Sequence, residues 1–150
     1  MQDRIRPEFI AKVLPMADKK LQRWFNENAK PEIHWILSNW HRMFRNEVIT
    51  LENGDIYFGE INDEGWPNGY GFRLWASKDV LIESYFENGE EFGNSRRLET
   101  NKEGIIVDKL GTMWYGNENG YWEDKYSNGT LFQGLYAHGK WNGMSKISYP

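Results

Sequence analysis

The spacing of apolar residues changes character near residue 46 of this 150-residue chain. Before that point, apolar side chains recur every three to four residues, as they do along one stripe of an α-helix. The stripe consists of Ile33, Ile36, Leu37, Trp40 and Phe44. It predicts an amphipathic helix in this part of the chain.

A second helix is predicted just upstream. The segment ADKKLQRWFNEN places Leu21, Trp24 and Phe25 on one side and basic residues on the other. We expect a break between the two helices at Asn28–Pro31, because proline fits the first turn of a helix but interrupts a helix interior. Residues 1–46 are therefore predicted to form a helical hairpin, which we call the arm.

From Glu47 onward the pattern indicates β-strands. In VITLENGDIYFG, β-branched and aromatic residues flank Asn53-Gly54, which is a strong hairpin signal. The same pattern returns with a period of 25 residues, and apolar residues follow three positions later. The turn positions are Gly54, Asp79, Gly104 and Gly129, and the apolar positions are Tyr57, Ile82, Val107 and Phe132. We predict four hairpin units in succession.

Glycines alternate with aromatic residues inside each unit. GDIYFGEINDEGWPNGYGF, residues 54–72, holds five glycines. Some glycines supply the positive φ of a tight turn, whereas Gly59 and Gly71 lie within strands and leave room for a neighbouring aromatic ring. An extra residue before the central glycine predicts longer turns in the first and third units.

The motif Y-x-G-(x)n-G-x-x-x-G-x-G, preceded by an N-G or D-G turn, resembles the MORN repeat. The resemblance covers about residues 48–150, and YFGEINDEGWPNGYG and FQGLYAHGKWNGMS match best. It implies a single-layer antiparallel β-meander that binds or scaffolds other proteins, in some cases at membranes. We therefore predict an α+β fold, in which the helical arm, residues 1–46, packs on a sheet of MORN-like hairpin repeats, residues 47–150. Arm and sheet are expected to form one cooperative domain.

Strand alternation assigns side chains to the two faces of the sheet. One face is predicted to carry an apolar row of Tyr57, Ile61, Ile82, Phe86, Val107, Phe132 and Tyr136. We expect the helical arm to cover this row, because a bare sheet would expose too large an apolar patch. The alternative is an open groove for a partner. Its candidate residues are Tyr57, Trp75, Trp122, Tyr126, Phe132 and Tyr136.

The opposite face is predicted to carry acidic side chains beside aliphatic and aromatic ones. One row runs through Phe58, Glu83, Asp108 and Gln133, and a second through Glu60, Tyr85, Leu110 and Leu135. Such a face suits a basic protein partner, and a solvated outer face is the alternative. The candidate protein-binding residues are Phe58, Glu60, Glu83, Tyr85, Asp108, Leu110 and Leu135.

Charge separates the two parts of the chain. Residues 1–46 hold nine basic and five acidic residues, a balance of +4, whereas residues 47–150 hold nine basic and seventeen acidic residues, a balance of −8. An acidic sheet repels phosphate backbones, so we expect no nucleic acid on the sheet. The chain has no cysteine, no apolar run long enough for a membrane span and no signal-type apolar region after its first residues. A cytoplasmic protein is predicted.

Motifs for catalysis or metal binding are absent from the sequence. His34 and His41 lie seven residues apart without a third ligand, and neither a P-loop nor G-x-S-x-G occurs. We expect no metal and no cofactor. Glu83 and Asp108 are the one candidate carboxylate pair for a small hydrolase, if they are cross-strand neighbours.

These patterns favour a non-catalytic protein-binding module, either an adaptor or an inhibitor or immunity-type protein of phage or bacterial origin. The first alternative is a peripheral membrane module whose basic helices lie on anionic lipid through Trp24, Phe25, Trp35 and Trp40. The hydrolase is the second alternative. Strand edges at residues 48–51 and 147–149 would allow pairing with another copy of the chain.

Overall fold

The structure, a computed structural model, describes residues 12–32 and 47–149, with only the backbone course given for residues 28–32, 47 and 141–145. This part of the chain folds into one α-helix and nine β-strands. The helix α1 spans Lys19–Glu32 and follows a 3-10 turn at Leu14–Met16. The strands are β1 (Glu47–Thr50), β2 (Ile56–Ile61), β3 (Pro67–Leu74), β4 (Val80–Glu87), β5 (Glu90–Thr100), β6 (Ile106–Trp114), β7 (Asn117–Tyr126), β8 (Leu131–Ala137) and β9 (Lys140–Ser148).

The nine strands form one antiparallel sheet in which neighbours in the chain are neighbours in space. The predicted β-meander is therefore confirmed. Two kinds of turn alternate along it. One end of the sheet carries the turns that follow β1, β3, β5 and β7. The other end, which we call the tight-turn end, carries the turns at residues 62–66, 88–89, 115–116 and 138–139.

The tight turns differ from the prediction in one unit. The first turn is long, as expected, but the third is a two-residue turn, Tyr115-Gly116, with φ angles of 46° and 83°. Both residues adopt the left-handed conformation that a type I′ hairpin turn requires. The first strand of this unit, β6, has nine residues, against eight in β4 and seven in β8, so the added length lies in the strand and not in the turn.

Helix α1 begins at an aspartate cap. The carboxylate of Asp18 accepts a hydrogen bond from the backbone N–H of Lys20 (2.8 Å), which satisfies one of the free donors of the first turn. The backbone N–H of Asp18 in turn donates to the carbonyl of Lys78 (2.8 Å), in the turn between β3 and β4. The helix start is thus fixed to one end of the sheet.

The predicted break at Asn28–Pro31 is wrong, because α1 continues to Glu32. Good helix formers such as Ala29 and Lys30 extend the helix, and Pro31 comes one residue before its end, so that the disruption it causes is confined to the last turn. The structure contains one described helix where the sequence predicted a hairpin of two. The second predicted helix, with Ile36, Leu37, Trp40 and Phe44, lies outside the described residues.

Helix α1 packs on one face of the sheet, which we call the helix face. Leu21 and Phe25 of the helix are buried there, in one cluster with apolar side chains from five consecutive strands, β2 to β6. The sheet residues of this cluster are Ile56, Phe58, Tyr70, Phe72, Leu74, Leu81, Leu98 and Ile106. The described helix therefore covers the face predicted to be the outer one. The 25-residue period sampled only the first strand of each hairpin, and the second strands supply much of this core.

On the opposite face of the sheet, aromatic rings pack directly over glycine residues. A Cβ placed at Gly71 would overlap the ring of Tyr57, and a Cβ placed at Gly111 would overlap the indole of Trp122. Tyr57 donates a hydrogen bond from its hydroxyl to the carbonyl of Glu60 (2.6 Å), and burial raises its pKa. Glycine and aromatic ring thus act as one packing unit, as the sequence predicted.

Candidate functional site

The two acids at the centre of the predicted docking surface are buried on the helix face. Glu83 and Asp108 are 4% and 5% exposed. Arg96 binds both oxygens of Asp108, with nitrogen–oxygen distances of 2.9 and 2.7 Å, and the indole N–H of Trp24 donates to the same carboxylate (3.2 Å). Asp108 therefore binds a buried arginine of the sheet and a tryptophan of the helix. It is not part of a free acidic surface.

Glu83 and Asp108 are not cross-strand neighbours, contrary to the prediction. Strand β5 lies between their strands, β4 and β6. Arg96 is opposite Glu83, while Asp108 is opposite Leu98 in the neighbouring row. Bulges and unequal turns shift the register away from a strict 25-residue period, so the row read from the sequence is not a row of the sheet. Glu83 and Asp108 are therefore not paired across neighbouring strands.

The other candidates of that set lie along the same face. Phe58 is buried under the helix, whereas Glu60, Tyr85 and Leu110 are half-buried and Leu135 is exposed. Exposure increases away from α1, because the described helix reaches only as far as β6. Among residues 12–32 and 47–149, the part of the helix face left open by the described helix is its far half and its tight-turn end.

The second candidate set lies on the opposite face. Tyr57, Trp122 and Tyr136 are buried, and Trp75, Tyr126 and Phe132 are half-buried. The guanidinium of Arg97 lies over the ring of Trp75, 4.7 Å from its centroid. The indole N–H of Trp122 donates a hydrogen bond to the carbonyl of Thr112 (3.0 Å). Most of these rings therefore pack within the sheet.

A buried carboxylate lies among those rings. Asp124 is 3% exposed, and its Oδ1 has no hydrogen-bond partner in the described part of the chain. Burial raises the pKa of Asp124 to about 6, against the lowering influence of Lys109, and the nearby acids Glu118 and Glu99 raise it further. Lys109 itself pairs with Glu99 at 3.2 Å.

A groove of about 660 Å³ opens on the helix face at the tight-turn end, between the ends of β3, β4 and β5. We call it the turn groove. Its lining includes one residue of the predicted set, Tyr85, whose ring centroid lies 3.7 Å from that of Tyr70. The residues lining it are Asn68, Gly69, Tyr85, Phe86, Glu87, Asn88, Phe92, Gly93 and Asn94. Its volume is in the range of ligand-binding pockets.

Three aromatic rings meet beside this groove. The ring centroid of Phe92 lies 4.9 Å from that of Trp114 and 4.8 Å from that of Tyr115, and those two rings are 5.3 Å apart. Trp114 is 55% and Tyr115 43% exposed. Clustered rings with one side packed and the other open to solvent are typical of protein-binding surfaces.

Tyr115 occupies a backbone position that does not suit it. It has a φ of 46° at the first position of its two-residue turn. The equivalent turns hold Asn88 and His138, with φ of 50° and 53°. Asparagine and histidine tolerate this region far better than a tyrosine does. The backbone strain presents an aromatic ring where a polar turn residue would be more stable.

Sequence reasoning missed Phe92, Trp114 and Tyr115. The available signal was the turn dipeptide: Asn88-Gly89 and His138-Gly139 are ordinary for this kind of turn, whereas Tyr115-Gly116 is not. A second groove, of about 450 Å³, lies near Trp75, but its charges pair with each other, since Arg73 binds Asp55 at 2.8 Å.

Within residues 12–32 and 47–149, no group of three or more acidic or histidine side chains is arranged to hold a metal ion. Among the same residues, no helix has the length and apolar character that crossing a bilayer requires.

No protein-family model matches this sequence, and no curated protein matches it either. The MORN resemblance therefore stays a prediction.

Proposed function

We propose that this chain is a non-catalytic protein-binding module of the MORN-repeat type, whose contact surface is the turn groove together with the ring cluster of Phe92, Trp114 and Tyr115. It acts by occupying the surface of a partner, as an adaptor or as an inhibitor of the immunity type. The nine-stranded sheet serves as a rigid support for this surface.

The left-handed Tyr115 is the observation that carries the proposal. A non-glycine residue in this conformation costs on the order of 1–2 kcal/mol. Two other turns of the same sheet show that a polar residue fits the position. Tyr115 keeps this unfavourable conformation although 43% of the residue is exposed. A contact that uses the exposed ring best explains why an aromatic residue is found there.

The buried acids support the non-catalytic part of the proposal. A general acid or base needs a carboxyl group that reaches a substrate. Asp108 is instead held by Arg96 and Trp24 beneath the helix. The membrane alternative has less support, because Leu21 and Phe25, the apolar side of α1, pack into the core. Trp35 and Trp40 lie outside the described residues.

Pairing of the sheet edges is a separate proposal for self-association. Val48 in β1 and Ile147 in β9 are both exposed apolar residues on edge strands. Lys146, which is exposed beside Ile147, opposes such pairing, because charged side chains on an edge strand discourage strand addition.

The test is affinity capture followed by titration of the purified partner. We expect wild type and His138→Asn to recover the same partner, and Trp114→Ala/Tyr115→Asn to lose it. His138→Asn is the matched control, because it changes the equivalent turn without touching the ring cluster. A partner that binds the double variant as tightly as wild type would place the contact surface elsewhere and overturn the proposal.

A further inference from the structure

We propose that the turn groove binds an arginine side chain from a basic segment of the partner, with the guanidinium stacked on the ring cluster and paired to Glu87 and Glu90. This inference rests on the proposed function and names the chemistry of the partner.

Two carboxylates face each other beside the groove. Glu87 ends β4 and Glu90 begins β5, and the two residues are directly opposite in the strand register. Like charges in this arrangement repel each other and destabilise a hairpin. Neither carboxylate forms an ion pair with another residue in the described parts of the chain. A cation supplied by a partner would remove the repulsion.

The surrounding turns add to the negative potential. Within and next to the turns of the tight-turn end, residues 62–66, 87–91, 114–118 and 137–140 include six acidic residues and one lysine, and Arg73 reaches one of these acids, Glu91, at 4.0 Å. The acids are Asp63, Glu64, Glu87, Glu90, Glu91 and Glu118, and the base is Lys140. A surface with one dominant sign of charge attracts partners of the opposite sign.

The aromatic rings lie on the same side of the hairpin as Glu87 and Glu90. Glu90 and Phe92 are two residues apart on β5, so their side chains leave the same face. Glu87 and Phe92 line the groove together, and Phe92 contacts Trp114 and Tyr115. An aromatic platform beside carboxylates is the combination that recognises organic cations.

Arginine fits this combination better than lysine. Its planar guanidinium stacks on a ring and can donate to two carboxylates at once, whereas an ammonium group is a point charge that is more strongly hydrated. The protein already contains such a pair on its opposite face, where the guanidinium of Arg97 lies 4.7 Å from the ring centroid of Trp75 while its Nε binds Glu99 at 3.1 Å.

The experiment uses three synthetic nonapeptides of glycine and serine that carry three arginines, three lysines or three citrullines. Binding is measured by isothermal titration calorimetry, and by the shift of the Trp114 indole signal in NMR. Citrulline keeps the shape of arginine and removes its charge. We expect the arginine peptide to bind at least about tenfold more tightly than the citrulline peptide, and more tightly than the lysine peptide.

Two charge-matched variants locate the site. Glu87→Gln/Glu90→Gln removes the facing pair, and Asp63→Asn/Glu64→Gln removes the same charge from the neighbouring turn. We expect the first to weaken binding of the arginine peptide about tenfold or more and the second less than about threefold. Circular dichroism confirms that both variants fold. Equal binding of arginine and citrulline peptides, or equal weakening by both variants, would overturn the inference.

Failure of this inference can be told apart from failure of the proposed function. If the captured partner depends on Trp114 and Tyr115 while the arginine peptide does not bind, the binding function stands and the arginine proposal is wrong. If the partner ignores those rings, the contact surface itself is misplaced and both proposals fall.

Discussion

The indole of Trp122 lies flat over Gly111 of the adjacent strand, in the space that any side chain at position 111 would need. Ser95, the residue paired with Gly111 on its other side, belongs to the same row of small residues across the sheet. This row is what allows large rings to pack within a single layer.

Replacing Gly111 by alanine is therefore expected to lower the free energy of unfolding by about 1–3 kcal/mol, because the ring or the backbone must move. Chemical denaturation measures the loss. Ser95→Ala is the control within the same row of small residues. It removes the hydrogen bond that the Ser95 hydroxyl donates to the carbonyl of Glu83 (3.4 Å), and it should cost less than about 1.5 kcal/mol. Equal losses in the two variants would mean that Trp122 is not the cause.

The turn at Tyr115 predicts that stability and binding oppose each other. Tyr115→Asn relieves the left-handed strain and is expected to raise the free energy of unfolding by about 1 kcal/mol, while it weakens partner binding. Thermal unfolding and titration of the partner measure the two effects. A Tyr115→Asn variant that is less stable than wild type would show that the ring cluster stabilises the fold instead.

Asp124 predicts a fall in stability as the pH rises. Its pKa is raised from 3.8 to about 6 in the folded protein, so between these values the folded state holds a proton that the unfolded state has lost. Asp124 therefore makes its full contribution to the free energy of unfolding below pH 4, and this contribution disappears as the pH rises through 6. The total is about 3 kcal/mol, from the difference in pKa.

Denaturation of wild type and Asp124→Asn at pH 4 and pH 7 tests this. The variant should be the more stable protein at pH 7, and the difference should shrink toward pH 4. Glu123→Gln is the neighbouring control, since Glu123 points to the other face and is only half-buried. A parallel pH dependence in wild type and Asp124→Asn would contradict the assignment.

The buried pair of Arg96 and Asp108 predicts a structural role. Arg96→Met leaves a buried carboxylate without its main partner, and we expect a loss of about 3–5 kcal/mol in the free energy of unfolding. Arg96→Met/Asp108→Leu should recover part of that loss, because the charges of Arg96 and Asp108 are then both removed while the buried Glu83 stays opposite position 96. If the single variant were as stable as wild type, Asp108 would have to be accessible to water.

The repeat and its strands could be predicted from the sequence because glycine and aromatic spacing acts locally. Gly71 beneath Tyr57 and the Asn88-Gly89 turn each depend on residues within one hairpin or its neighbour. The meander follows from these local units, since consecutive hairpins have only to lie side by side.

Cross-strand rows and the position of the helix could not be predicted in the same way. The register that places Arg96 opposite Glu83, instead of an acid of the next unit, depends on bulges and turn lengths that a fixed period does not show. Which face α1 covers depends on the summed apolar area of both strands of each hairpin, including Phe72 and Leu98. The ring cluster could not be predicted because Trp114 and Phe92 are far apart in the sequence.

The unbroken chain order of the strands has a consequence for how the molecule folds. Every strand pairing joins segments that are consecutive in the chain, so the sheet forms without the cost of closing long loops, and its assembly can spread from one hairpin to the next. The helix-covered strands β2 to β6 are the natural place for it to begin. Amide hydrogens should then exchange slowest around Phe72 and Leu98 and progressively faster toward β9, as they do in proteins that unzip from one end.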